Sequence, residues 1–151
     1  MYLSDDHFQH VISSAPLISI DLIVEQNGEK ILLGKRINRP AKGYWFVPGG
    51  RVQKNERLDD AFFRITRAEL GISYERGNAT FLGVFEHFYS DSMFSDFVDT
   101  HYLALAYRFS MDAIRELPLT QHEHFSWWSI VDICESDSVH PNTQTYGRFL
   151  L

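Results

Sequence analysis

The stretch GGRVQKNERLDDAFFRITRAELGI, Gly49 to Ile72, decides the fold. A glycine pair makes a tight turn, and a polar run leads into Leu58, Ala61, Phe62, Ile65, Ala68 and Leu70, apolar residues that recur at roughly helical spacing. Gly71 is a natural stop, because glycine enters the left-handed conformation that ends a helix. The spacing predicts a helix over 58–70 that carries Arg64 and Glu69 just behind a glycine turn.

Upstream, Leu17 to Val24 alternates around Asp21 and reads as a strand, Asn27-Gly28 supplies a hairpin turn, and Lys30 to Gly34 reads as the returning strand. Asn38 to Lys42 is a polar loop with Pro40, and Tyr44 to Val47 is a short strand stopped by Pro48-Gly49-Gly50. Downstream, strands are expected at Phe81 to Tyr89 and His101 to Ser110, with another over Phe125 to Ile130. Short helices are expected over Asp112 to Glu116 and from Ile130 to about Ser136. Strands interleaved with helices give an α/β chain whose mixed β-sheet is sandwiched between α-helices.

The composition excludes several classes. The 151 residues are 44% hydrophobic and 23% charged, ordinary for a globular chain, and nothing marks a linker or repeat, so one domain over 1–151 is expected. Fourteen Lys+Arg against twenty Asp+Glu give a formal net charge of -6, so no basic field exists to hold a nucleic acid. Apolar runs such as Leu103 to Tyr107 fall far short of the ~20 residues that span a bilayer, so a cytoplasmic protein without membrane contact is expected. Cys134 is the single cysteine and can form neither an internal disulfide nor a thiolate cluster.

The pattern Gly50-x5-Glu56-x7-Arg64, continuing to Glu69-x-Gly71-Ile72, resembles the Nudix box, the strand-loop-helix motif of hydrolases acting on nucleoside diphosphates linked to another group. The usual box has a Glu directly after its Arg and a Glu pair before its Gly, whereas Ile65 and Ala68 stand at two of those positions here. One helix carboxylate, Glu69, then remains for a hard divalent ion, and a single tightly held metal is expected. The flanking text LGKRINRPAKGYWFVPGG, VFEHFY, THY and TQHEHFSWW resembles the GDP-mannose mannosyl hydrolases, a Nudix subfamily lacking those same glutamates.

That resemblance implies a Nudix fold and hydrolysis of GDP-mannose, with GDP-glucose beside it, to GDP and free hexose by inverting attack of water at the anomeric carbon. It implies one Mg2+ per subunit, with Mn2+ as a substitute, held by the Gly49 carbonyl, Glu69 and Gln121. His122 is the implied base, because an imidazole changes charge near neutral pH, and His124 is its competitor. Arg51, Arg36 and Arg64 are assigned to the departing diphosphate, with a structural brace to Glu56 as the other role open to Arg64. Asp21, His87 and Tyr102 are placed near the sugar or diphosphate, and Tyr2, Leu3 and Phe8 against the base. In the subfamily this N-terminal arm reaches across a homodimer; the alternative is an arm packed on its own domain. Two other functions stay open: cleavage of the phosphoanhydride of a nucleotide sugar or triphosphate, and nucleotide-sugar binding without catalysis.

Overall fold

A computed structural model describes residues 3–95, 97–111 and 122–151. The centre of the sheet is β1 (Leu17–Gln26), in which Ile20, Leu22, Ile23 and Val24 are fully buried, as befits a strand covered on both faces. On one side β1 runs parallel to β6 (Thr100–Ser110), from Leu17↔Tyr102 to Glu25↔Ser110, and β5 (Thr80–Tyr89) lies antiparallel beyond it. On the other side β1 begins a hairpin with β2 (Lys30–Arg36), paired only at Glu25↔Ile31 and Gln26↔Lys30. There β2 peels away to pair with β3 (Trp45–Phe46) and β7 (His122–Ser129). The gap left beside β1 is filled by β4 (Gly49–Arg51), antiparallel at Asp21↔Gly49 and Ser19↔Arg51.

Alternation along β1 sends its two faces to two cores. Ile20, Leu22 and Val24 pack with Phe62, Ile65 and Leu70 of α2 (Leu58–Leu70). Ile23 packs with Ile133 of α3 (Ile130–Glu135) and Tyr146 of α4 (Pro141–Leu150). The helix α2 carries Asp59 and Asp60 in its first turn and Arg67 in its last, matching the helix dipole, and Gly71 ends it at φ 78°. Burial of Phe62 alone contributes roughly 2–3 kcal/mol.

The sheet sandwiched between helices, the hairpin and α2 are as expected from the sequence. Three features differ. Pro48-Gly49-Gly50 does not simply stop the preceding strand, because Gly49 onwards forms β4. The last strand runs over His122–Ser129 and so starts three residues earlier and ends one residue earlier than expected, while α3 opens at Ile130 as expected, the Ser129 side chain accepting from the Asp132 N–H as its cap. Two helices were not expected, α1 (Asp5–Ser14), capped by Ser4, and α4, capped by His140 with Pro141 in its first turn. The Asp112 to Glu116 helix lies outside the described residues.

Candidate active site

The site is organised by β4. A Cβ on Gly49 would lie 2.5 Å from the Ile20 carbonyl oxygen and 2.7 Å from Asp21 Oδ1, and one on Gly50 would lie 3.1 Å from Ile65 Cγ1. Glycine at 49 therefore lets the backbone lie flat against β1. Two cavities adjoin this strand, a groove of about 620 Å³ that reaches Glu69 and an inner chamber of about 100 Å³ that reaches Asp21, His87 and Tyr89. Arg36, Arg51, Tyr102 and both glycines line the two cavities alike, so they stand where groove and chamber meet.

On the groove side, Glu69 is 7% exposed, and burial, against the pull of Arg36 and with a smaller push from the Asp21 charge, raises its carboxyl to about 7. A buried acid held so high suits a neighbouring cation, whose charge would restore ionisation. One turn earlier Ile65 is buried against Gly50, so apolar surface occupies the place where the box has its first carboxylate, and Ala68 is exposed. Among the described residues no group of three or more His, Cys, Asp or Glu is gathered to hold a metal. Gly49 and Glu69 line the same groove; Gln121 lies outside the described residues.

Arg64 forms the brace. Its Nε donates to Glu56 Oε2 at 2.7 Å, and its Nη2 donates to Glu56 Oε1 and to the Arg51 carbonyl oxygen, both at 2.8 Å. Glu56 also accepts from the Gln53 N–H at 3.1 Å, and the Arg64 guanidinium holds its carboxyl below the usual range. The loop between β4 and α2 is thereby clamped to the helix that carries Glu69. Glu69 lies five positions after Arg64, about 140° around the helix, so the two side chains leave it in different directions.

Arg36 and Arg51 sit at the junction. The Arg36 guanidinium lies 5.7 Å from the Phe46 ring centre and that of Arg51 4.5 Å from the Phe8 ring centre. Phe8 belongs to α1 and lines the groove of its own chain, with Phe94 at 5.9 Å, while Leu3 precedes the helix, half-buried. What reads as an apolar-aromatic arm is thus a capped helix over the groove, and Tyr2 lies outside the described residues.

The inner chamber is built differently. Tyr146 of α4 donates to Asp21 Oδ2 at 2.6 Å, and His87 Nδ1 stands 3.7 Å from the same oxygen. Burial pushes Asp21 up to about 6 and His87 down to about 4, so the imidazole is neutral at physiological pH. His87 Nε2 is buried without a hydrogen-bond partner among the described residues. His87 faces Tyr102 across β5 and β6, and burial raises the Tyr102 phenol. Three further residues escape sequence reasoning. Tyr89 shares the strand face of His87 two positions on, a signal that period-two alternation offered; Tyr146 and His140, from the C-terminal segment, gave none. His122 pairs through its backbone with Arg36 beyond a bulge at Lys35, which brings β7 to the junction; its side chain lies outside the described residues. His124 is exposed opposite Lys35.

A strand-loop-helix unit of this construction, set in a mixed sheet between helices, defines the Nudix class of hydrolase folds. The family model described as NUDIX domain matches residues 16–149, and the chain belongs to that family. It is 37% identical over 144 residues to the low-salt glycan biosynthesis protein Agl8 of Haloferax volcanii, covering 95% of this chain and 88% of that protein. It is 40% identical over 57 residues to an ADP-ribose pyrophosphatase of Methanocaldococcus jannaschii, covering 38% of this chain and 33% of that protein. Among solved structures, a MutT Nudix hydrolase of Burkholderia pseudomallei superposes with a TM-score of 0.71 at 26% identity, covering 91% of this chain and all of that one. No helix among the described residues is long and apolar enough to cross a membrane.

Proposed function

We propose that this Nudix hydrolase cleaves GDP-mannose, and GDP-glucose, between the anomeric carbon and the diphosphate oxygen, releasing GDP and the inverted free hexose. The observation that carries the reading is Ile65 buried against Gly50 where the box places a carboxylate, which leaves Glu69 as the acid of the groove. With so few anions, little is available to bring water onto phosphorus, and the reacting atom belongs at the other end of the bridging oxygen.

The reading assigns the diphosphate to the junction, where Arg36 and Arg51 take up charge as the anomeric carbon–oxygen bond breaks and its electron pair leaves with GDP. Gly49, Glu69 and Gln121 would hold one Mg2+ or Mn2+, which when bound neutralises part of the departing diphosphate. Asp21, His87 and Tyr102 stand beside the hexose, with His87 neutral and able to donate. His122 takes the proton of the attacking water, because it follows Gln121 directly and β7 carries it to Arg36. Arg64 acts through its brace to Glu56 and Arg51, fixing the end of β4 that carries Arg51. The similarity to a glycan biosynthesis protein over nearly the whole chain agrees with a sugar-bearing substrate. The subfamily resemblance extends the reading to a cytoplasmic homodimer, with Leu3, Phe8 and Tyr2 against the guanine.

The competing reading is phosphoanhydride cleavage, favoured by the local similarity to an ADP-ribose pyrophosphatase. Incubation with a panel of GDP-hexoses and Mg2+ separates the two. GDP plus free hexose of inverted anomeric configuration by NMR is expected; GMP plus hexose phosphate overturns the proposal.

A further inference from the structure

The last helix of the chain reaches the inner chamber through one hydrogen bond. Tyr146 is 2% exposed, and its hydroxyl donates to Asp21 Oδ2 at 2.6 Å across 125 residues of sequence. Its ring makes edge contacts with Phe85, centres 4.8 Å apart, and with His87, centres 5.6 Å apart. The helix itself cannot easily turn. A Cβ on the neighbouring Gly147 would lie 2.9 Å from both Cys134 Sγ and Ile133 Cγ2, so α4 sits hard against α3. At the other end of α4, the capping His140 ring stacks on Phe46 of the chamber wall at 4.7 Å and 22°.

Tyr146 therefore presents a fixed donor to one oxygen of Asp21 and leaves the other turned toward Gly49, the strand common to both cavities. A carboxylate repels phosphate and accepts from neutral hydroxyls, so the ligand group beside it is uncharged and carries O–H donors. The chamber's volume of about 100 Å³ admits one edge of a ring. We propose that Tyr146 is a positioning residue: it orients Asp21 so that Oδ1 accepts a hydrogen bond from a hydroxyl of the ligand's hexose. This inference rests on the GDP-hexose reading and adds α4 to the site.

The test compares the full-length protein with Tyr146→Phe, Asp21→Asn and the double variant, measuring kcat and KM for GDP-mannose and, separately, Kd for GDP. Tyr146→Phe is expected to lower kcat/KM about 10-fold or more, the scale of a misplaced contact at a reacting centre. Its Kd for GDP is expected to stay within about two-fold of the parent, because GDP lacks the hexose; unchanged GDP binding also shows that the site is folded. In the Asp21→Asn background the same change is expected to cost less than about two-fold, since its route of action is already gone. An unaltered kcat/KM, an equal loss of GDP affinity, or a full additional loss in the Asp21→Asn background each overturns the role. If Tyr146→Phe alone does not fold, the double variant carries the test, because no buried charge is left unpaired in it: turnover equal to Asp21→Asn supports the role, and a further drop of about five-fold or more overturns it. Failure of the parent protein to release free hexose overturns the GDP-hexose reading, and this role with it, before any variant is compared.

Discussion

The two sides of β4 are built on opposite principles. The groove side sets arginines beside Phe8, Ile12 and Met93 and is thinly furnished with anions: Glu69 is its acid, Ile65 takes the place of another, and the Glu56–Arg64 pair is turned to holding a loop. The chamber side is dense with aromatic rings and with buried or half-buried titratable groups, Asp21, His87, Tyr89, Tyr102 and Tyr146, of which Tyr146 hydrogen-bonds Asp21, His87 stands 3.7 Å from the same carboxylate, and the rings lie 5.6 to 6.4 Å apart between centres. The difference teaches where specificity is invested. A site whose main work was to activate water at phosphorus would crowd carboxylates on the groove side; on the proposed reading, specificity instead comes from the rings and hydrogen-bonding groups of the chamber.

Breaking the base tests the comparison most severely. His122→Gln is expected to lower kcat by about 10²–10⁴-fold while moving Kd for GDP-mannose little, by steady-state kinetics and calorimetry. An unchanged rate would remove His122 from the mechanism. Next in size, Glu69→Gln takes the acid from the groove, and an activity loss on the order of 100-fold with weakened metal activation is expected. Superimposable Mg2+ titrations of variant and parent would show that Glu69 holds no ion.

Smaller effects concern the frame. Arg64→Ala removes the brace and leaves Glu56, whose side chain is 15% exposed, with one backbone donor; a stability loss of about 1 kcal/mol is expected in urea unfolding, discounted because the Arg64 side chain is 34% exposed. Glu56 has a folded pKa below its ordinary 4.5, so its contribution is complete above that pH and fades as pH falls through the lower folded value. The stability difference between parent and Arg64→Ala should therefore shrink in acid and stay level from pH 6 upward. Smallest of all, Ala68→Glu returns a carboxylate to an exposed helix position. Tighter Mn2+ binding by several-fold, about 1 kcal/mol, is expected with an unaltered melting temperature and unaltered products.

These effects trace to different levels of legibility. The helix 58–70 and the hairpin follow from periodicity, Asn27-Gly28 and Gly71, all local signals, whereas the glycine pair read as a turn and only its pairing with β1 makes it a strand. The groove was readable too, because Glu69, Ile65 and Ala68 share one helix with fixed angular relations. No local signal marked the chamber: Asp21, His87 and Tyr102 of its wall were named only through the family resemblance, because it is assembled from β1, β5, β6 and α4, and only the folded sheet brings Tyr146 to Asp21. The segment Thr143 to Gly147 carries β-branched residues and a glycine, which hide a helix that tertiary packing against α3 imposes. The cap of α4 was the missed cue: His140 followed by Pro141 marks a helix start, but histidine is an uncommon cap.

The most direct test of the central claim follows the oxygen. Hydrolysis of GDP-mannose by the parent protein in water enriched in oxygen-18, with mass analysis of both products, is predicted to place the label on the free mannose and none on GDP. Label on a phosphate of the nucleotide or of a sugar phosphate would place the attack at phosphorus and contradict the account.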